Sequence, residues 1–158
     1  MSVYYPYYFQ SWKVTATRSF GREVRARLLT GVNGRSRSTG PASEWPSMAE
    51  EDLSGHEVIP PLTSEGEARE LAWEYAERFV FRNYRPSKPP RIEAEEFALV
   101  YVPYHVYARQ GQPLRKAALV EGFTGAVGKV KDVPEVFEVV AAVKAPATFF
   151  TNKEGQFR

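Results

Sequence analysis

Cysteine is missing from all 158 residues. That absence excludes disulfides, thiolate nucleophiles and zinc or iron–sulfur sites held by cysteine. Histidine is nearly absent too, with only His56 and His105, which are far apart in sequence and form no ligand-spaced pair. No apolar run approaches the ~18 residues needed to cross a bilayer, and the N-terminus lacks the basic-then-apolar pattern of a signal peptide, so a cytoplasmic location is the expectation. Neither a G-x-G-x-x-G nor a P-loop pattern occurs, and Ser36, Ser38 and Ser43 sit in no nucleophile elbow. Glu93, Glu95 and Glu96 are close in sequence, but strand alternation separates Glu96 from the other two, so no carboxylate pair is poised for acid–base work. The reading is a non-enzymatic chain without cofactor or metal.

What the chain does contain is a repetition. Val3-Tyr4-Tyr5-Pro6-Tyr7 returns as Val100-Tyr101-Val102-Pro103-Tyr104, and Leu28-Leu29-Thr30-Gly31-Val32-Asn33-Gly34 returns as Leu119-Val120-Glu121-Gly122-Phe123-Thr124-Gly125. Prolines, tyrosines and turn glycines that recur together imply a recurring backbone shape. A unit of ~60 to 70 residues is marginal alone, and two fused copies can share one core. The expected fold is α+β: two tandem antiparallel βββα units with an approximate internal two-fold, and both helices packed on one sheet face. Residues 1–145 would form one domain, with matching β parts at 3–38 and 99–130, and 146–158 a tail.

Local patterns fill in the elements. Residues 3–17 are dense in β-formers, giving a long strand that begins near Pro6. A proline there belongs at a strand start, an edge or a bulge, and Pro103 raises the same question. Val24, Ala26 and Leu28 alternate with Glu23, Arg25 and Arg27, the period of a half-buried strand. Asn33-Gly34 signals a type I′ turn. Residues 35–63 read as a long connection that Trp45 pins to the core. Ser64 to Glu67 fits a capping box before a helix to about Asn83, its stripe made of Ala68, Leu71, Ala72, Tyr75, Phe79 and Arg82. A second helix is expected over 134–143, although its β-branched residues leave a strand open there.

Two sets of residues are candidates for binding. Tyr4, Tyr7, Tyr101 and Tyr104 flank the repeated prolines and could line a groove between the units, where phenols offer an apolar wall and a hydroxyl. Packing in the core is the competing role. Arg18, Arg22, Arg25, Arg27, Arg35 and Arg37 form a basic stripe beside Tyr8, Trp12 and Phe20, a combination suited to nucleic acid. The net charge of +2 hides this asymmetry: residues 1–43 carry +6, residues 44–96 carry −7 and residues 97–158 carry +3. Ion pairing with the acidic middle segment is therefore the alternative for the arginines, of which the second copy keeps only Lys116.

The helix at 64–83, the long strand through Tyr101 and the turn Glu121-Gly122-Phe123-Thr124-Gly125-Ala126-Val127 together resemble the PepSY-type modules of bacteria, over about residues 64–130. That resemblance implies a binding or inhibitory module rather than an enzyme. The leading expectation is a binding or regulatory module for a peptide, small ligand or partner subunit, with nucleic acid as the alternative partner and homo-oligomerisation compatible with either.

Overall fold

The computed structural model describes residues 1–144, so the expected tail from 146 lies outside the described residues. Seven strands and two helices follow one another as β1 (Ser2–Thr17), β2 (Glu23–Asn33), β3 (Thr39–Pro41), β4 (Glu57–Val58), α1 (Glu65–Tyr84), β5 (Arg91–Tyr107), β6 (Ala118–Glu121), β7 (Val127–Lys129) and α2 (Pro134–Lys144). They build an α+β structure on one largely antiparallel sheet ordered β3-β2-β1-β5-β6-β7, with β4 pairing β1 in parallel. The two longest strands, β1 and β5, lie side by side at its centre.

Their register brings the two V-Y-x-P-Y segments together. Val3 pairs with Tyr104, Tyr4 with Pro103, Tyr5 with Val102, Pro6 with Tyr101 and Tyr7 with Val100. Each proline therefore faces a tyrosine of the other segment. The prolines stand inside long strands rather than at their starts, because each sits where its strand changes neighbours. Pro6 lacks an N–H, and β2 leaves β1 after the Tyr7–Asn33 pair. The Pro6 carbonyl still accepts from the Gly34 N–H at 2.9 Å. Gly34's own carbonyl, which an N–H at position 6 would otherwise have met, accepts from Leu62 and Thr63 N–H instead, at 2.9 and 3.0 Å. At the other proline, the Pro103 carbonyl accepts from the Gly122 N–H at 2.8 Å, one step beyond the Tyr104–Glu121 pair.

The turn after β2 differs from the expected two-residue type. Gly34–Arg37 form a four-residue loop closed by Asn33 N–H to the Ser38 carbonyl, with Arg37 left-handed at φ 64°. Thr39–Pro41 then add a third strand where the sequence read as connection. Trp45 meets Phe9 edge-on at 6.5 Å, as a residue that pins the loop should.

The helices do not share a sheet face. Alternation along β1 points Tyr8, Trp12 and Val14 to one side and Val3, Tyr5 and Tyr7 to the other. On the first side α1 packs through Ala68, Ala72, Ala76 and Val80, a stripe of small residues that lets helix and sheet approach closely. Arg82, expected on that stripe, is exposed. The Ser64 hydroxyl caps α1 by accepting from Glu67 N–H at 3.2 Å. On the second side α2, opened by Pro134, packs Val136 and Val140 against Val3, Tyr5, Tyr104, Val106 and Leu119. Opposite faces are the consequence of which strand residues each helix covers, and the sequence pattern of a helix does not encode that choice. Among the described residues, no helix is long and apolar enough to cross a membrane.

Candidate ligand cleft

The face that carries α2 also holds a cleft of about 500 Å³, beside the centre of the β1–β5 pairing. Tyr7, Phe9 and Val102 form its floor. The stretch Ser38–Ser43, which includes β3, borders one side, and Glu121, Phe123 and Thr124 of the β6–β7 turn border another. Phe9 links the parts, with Phe123 edge-on at 5.7 Å and Tyr7 at 6.3 Å.

Both bordering turns are held by a side-chain oxygen at their first residue. Asn33 Oδ1 accepts from the Arg35 and Ser36 N–H groups at 2.8 and 3.0 Å and from the Tyr5 hydroxyl at 3.2 Å. The Glu121 carboxylate accepts from the Phe123 and Thr124 N–H groups at 2.7 and 3.1 Å, and from the Thr124 hydroxyl. Among the described residues, the only carboxylate lining the cleft is therefore engaged in shaping it.

Beneath the floor lies a phenol cluster. The Tyr7 and Tyr104 hydroxyls are 2.8 Å apart, and Tyr5 packs 5.5 Å from each ring. Burial raises the pKa of all three hydroxyls. Tyr5 is pushed up to about 12, and Tyr7 and Tyr104 also move upward, with Glu121 adding to the burial effect. Neutral phenols at ordinary pH give and accept hydrogen bonds and supply no nucleophile or base.

The four candidate tyrosines do not share one groove. Tyr7 lines this cleft and Tyr104 is buried below it, whereas Tyr4 and Tyr101 alternate to the opposite face. Tyr4 and Tyr101 line a second, larger cleft of about 740 Å³ together with Pro103, Glu50 and Glu51. There the Tyr4 ring meets His56 edge-on at 5.3 Å. Neither histidine joins a metal-ligating cluster among the described residues.

The arginine stripe is largely occupied. Arg25 pairs with Glu23 at 2.5 Å, Arg37 with Glu67 at 2.6 Å and Arg27 with Glu95 at 4.0 Å. Arg35 donates to the Pro60 carbonyl at 3.1 Å. Arg18 donates to the Tyr84 and Asn83 carbonyls at 3.0 and 3.1 Å, where it caps the C-terminus of α1. Only Arg22 of the six has none of these contacts among the described residues. The acidic middle segment thus neutralises part of the stripe, through Glu67 and Glu95.

Comparison of the chain with protein-family models, curated proteins and solved structures gives no match.

Proposed function

We propose that this protein is a non-enzymatic binding module whose cleft at the centre of the sheet holds a neutral, partly apolar ligand: a short extended peptide or a small aromatic molecule. The observation that carries this reading is the makeup of the cleft. Three aromatic rings, Tyr7, Phe9 and Phe123, stand in its lining beside small and uncharged polar residues such as Asn33, Ser38, Thr39 and Thr124; among the described residues it has no cationic side chain, and its one carboxylate is already hydrogen-bonded three times. Such a surface offers shape and hydrogen bonds for recognition, with nothing to drive a reaction.

The reading also includes a duplication of the β part. Gly34 and Gly122 both contact a proline carbonyl, Asn33 and Glu121 both cap their turns, and Arg37 and Gly125 are both left-handed at φ 64° and 72°. The third strands then begin at Thr39 and Val127, and all four correspondences share one offset of 88 residues. This alignment pairs Gly34 with Gly122, three residues away from the match suggested by x-G-x-x-G alone. The proposed unit is β1–β3 and β5–β7, without the helices, which cover opposite faces. A cleft near the pairing of two such units would arise from their fusion. The likeness of residues 64–130 to PepSY-type modules is compatible with this role, since α1 precedes a long strand and a capped hairpin turn.

Amide chemical shifts test the proposal. Isotope-labelled protein would be titrated with a set of aromatic fragments and short uncharged peptides. Shifts concentrated at Phe9, Gly31, Gly40 and Phe123, and abolished by Phe123→Ala in a folded variant, are the expected outcome. Shifts scattered over the surface, or unchanged by Phe123→Ala, would remove the cleft as the site.

A further inference from the structure

A different end of the molecule carries a second site. The turn between β1 and β2 packs beside the C-terminus of α1, and the two enclose a cleft of about 530 Å³ whose lining includes Arg18, Phe20, Arg22, Arg82, Tyr84 and Arg85. Its geometry points to a binding site for single-stranded nucleic acid, in which guanidinium groups meet phosphates and Phe20 stacks on a base.

Three independent observations converge there. None of the four arginines forms an ion pair among the described residues, whereas Arg25, Arg27, Arg37, Arg69 and Arg91 all do. No acidic side chain lines the cleft among the described residues. Phe20 is fully exposed, at 103%. A large apolar ring held wholly in water at the tip of a turn gains nothing for the fold, so a role in contact with something else explains it.

The backbone adds a fourth argument. Only Phe20, Arg37 and Arg85 among the described non-glycine residues have positive φ, and two of them, at 65° and 45°, flank this cleft. A glycine would relieve both turns, yet an aromatic and an arginine occupy them, which is the pattern of strain kept for function. The turn is also rigidly placed. Arg18 is tied to the last carbonyls of α1, and both the Ser87 N–H and its hydroxyl donate to the Thr17 carbonyl at 2.7 and 3.1 Å. Arg18 is thus committed to the helix, which leaves Arg22, Arg82 and Arg85 for phosphates.

A single strand suits the cleft better than a bilayer or a duplex does. A flexible backbone can bend its phosphates into a concave site, and an unstacked base exposes the face that an aromatic ring needs. A bilayer is flat, and duplex bases are already stacked. Arg82 and Arg85 lie sixty or more positions from Arg18 and Arg22, so only the fold assembles the group.

The probe is a fluorescein-labelled fifteen-residue oligo(dT), followed by anisotropy between ~50 and ~200 mM salt. Three phosphate contacts predict a log–log salt slope of about −2, which is roughly a twenty-fold loss of affinity across that range. Arg22→Ala should reduce the slope by about 0.7. Phe20→Asn, which tolerates the left-handed turn, should weaken binding about ten-fold with little change in slope. Arg85→Gly is the discriminating variant: it should raise the melting temperature by relieving the backbone and lower affinity at the same time. Absent binding at ~50 mM salt, a slope near zero, or variants that bind like the parent would overturn the proposal. So would capture by vesicles of phosphatidylcholine and phosphatidylglycerol without oligonucleotide binding, because that outcome assigns Phe20 and the arginines to a lipid surface.

Discussion

Replacing Gly34 or Gly122 by alanine should destabilise the protein far more than the same change at Gly40 or Gly66. A Cβ on Gly34 would lie 2.9 Å from the Pro6 carbonyl oxygen and 3.0 and 3.1 Å from two atoms of its ring. On Gly122 it would lie 2.7 Å from Pro103 Cγ and 2.8 Å from the Pro103 oxygen. Neither obstacle can swing aside, because the ring is locked to the backbone and the oxygen already accepts the glycine's own N–H. Overpacking of this kind costs about 1–3 kcal/mol, and the weakened hydrogen bond adds about 1 kcal/mol, for a total of roughly 2–4 kcal/mol. At about 2–4 °C per kcal/mol for a chain of this size, the melting temperature should fall by roughly 4–16 °C. Urea unfolding followed by tryptophan fluorescence reads the loss, since Trp12 is buried at 3% exposure. Gly40→Ala is the control, because a Cβ there meets nothing within 4 Å, and Gly66→Ala in the first turn of α1 should be neutral or stabilising by up to about 1 kcal/mol. Losses at Gly34 and Gly122 no larger than at Gly40 would refute the contact argument. Sensitivity at only one of the two would break the proposed equivalence of the turns.

Three further outcomes follow from buried polar groups and a cap. Thr30→Val should cost about 1–3 kcal/mol in urea unfolding, because the Thr30 hydroxyl accepts from Trp12 Nε1 at 3.0 Å and donates to the Gln10 carbonyl at 3.2 Å, and valine removes both bonds and leaves the buried indole N–H unpaired. Stability should fall between about pH 10 and 12: with the Tyr5 hydroxyl raised to about 12, the folded chain retains a proton there that the unfolded chain releases, so each step up in pH favours unfolding. Tyr5→Phe should flatten part of that decline in the urea midpoint, and an unchanged decline would assign it to other groups. Ser64→Ala should remove about 1 kcal/mol by leaving the Glu67 N–H uncapped, measured as lost thermal stability, whereas Ser64→Asp should retain most of it.

The strands were the most legible part of the fold. Alternation through Val24, Ala26 and Leu28 is a local property, and β2 follows it. The three-residue offset of the turns was hidden by chemistry that differs in letter and agrees in role. Asn33 and Glu121 both cap a turn through a side-chain oxygen, but an amide and a carboxylate do not match by identity. Gly31 added to the ambiguity. It lies within β2, where a Cβ would stand 3.7 Å from the Phe9 ring in ordinary contact, so glycine is not required there as it is at Gly34. The tyrosines do not form the single group expected of them, since alternation within V-Y-x-P-Y sends its two outer tyrosines to opposite faces. Phe123 was the missed cleft residue. It appeared only as a turn position, and its place beside Phe9 depends on pairing across the whole sheet.

The residues of the recurring V-Y-x-P-Y segments and their turn glycines have structural roles, which bears on where the proposed binding would lie. Pro6 and Pro103 change the neighbours of their strands, Gly34 and Gly122 fit against them, and Tyr101 and Tyr4 stand opposite the prolines. Every one of these roles concerns backbone shape, so recurrence here reports architecture. Under the proposed binding role, recognition would then come from what the two parts of the proposed duplication do not share. Ser38–Ser43 and Phe123 border the central cleft from different halves with unlike side chains, which makes an asymmetric ligand the better fit than a symmetric one. The arginine cleft belongs to one end alone, because Arg82 lies in the last turn of a helix that the proposed duplication leaves out and Arg85 caps it. Exchanging Ser38–Ser43 for the residues that follow the β6–β7 turn should therefore leave the fold standing, change what the central cleft accepts and leave oligo(dT) binding at the arginine cleft untouched. Loss of both activities in a folded exchange variant would show that the two sites are one.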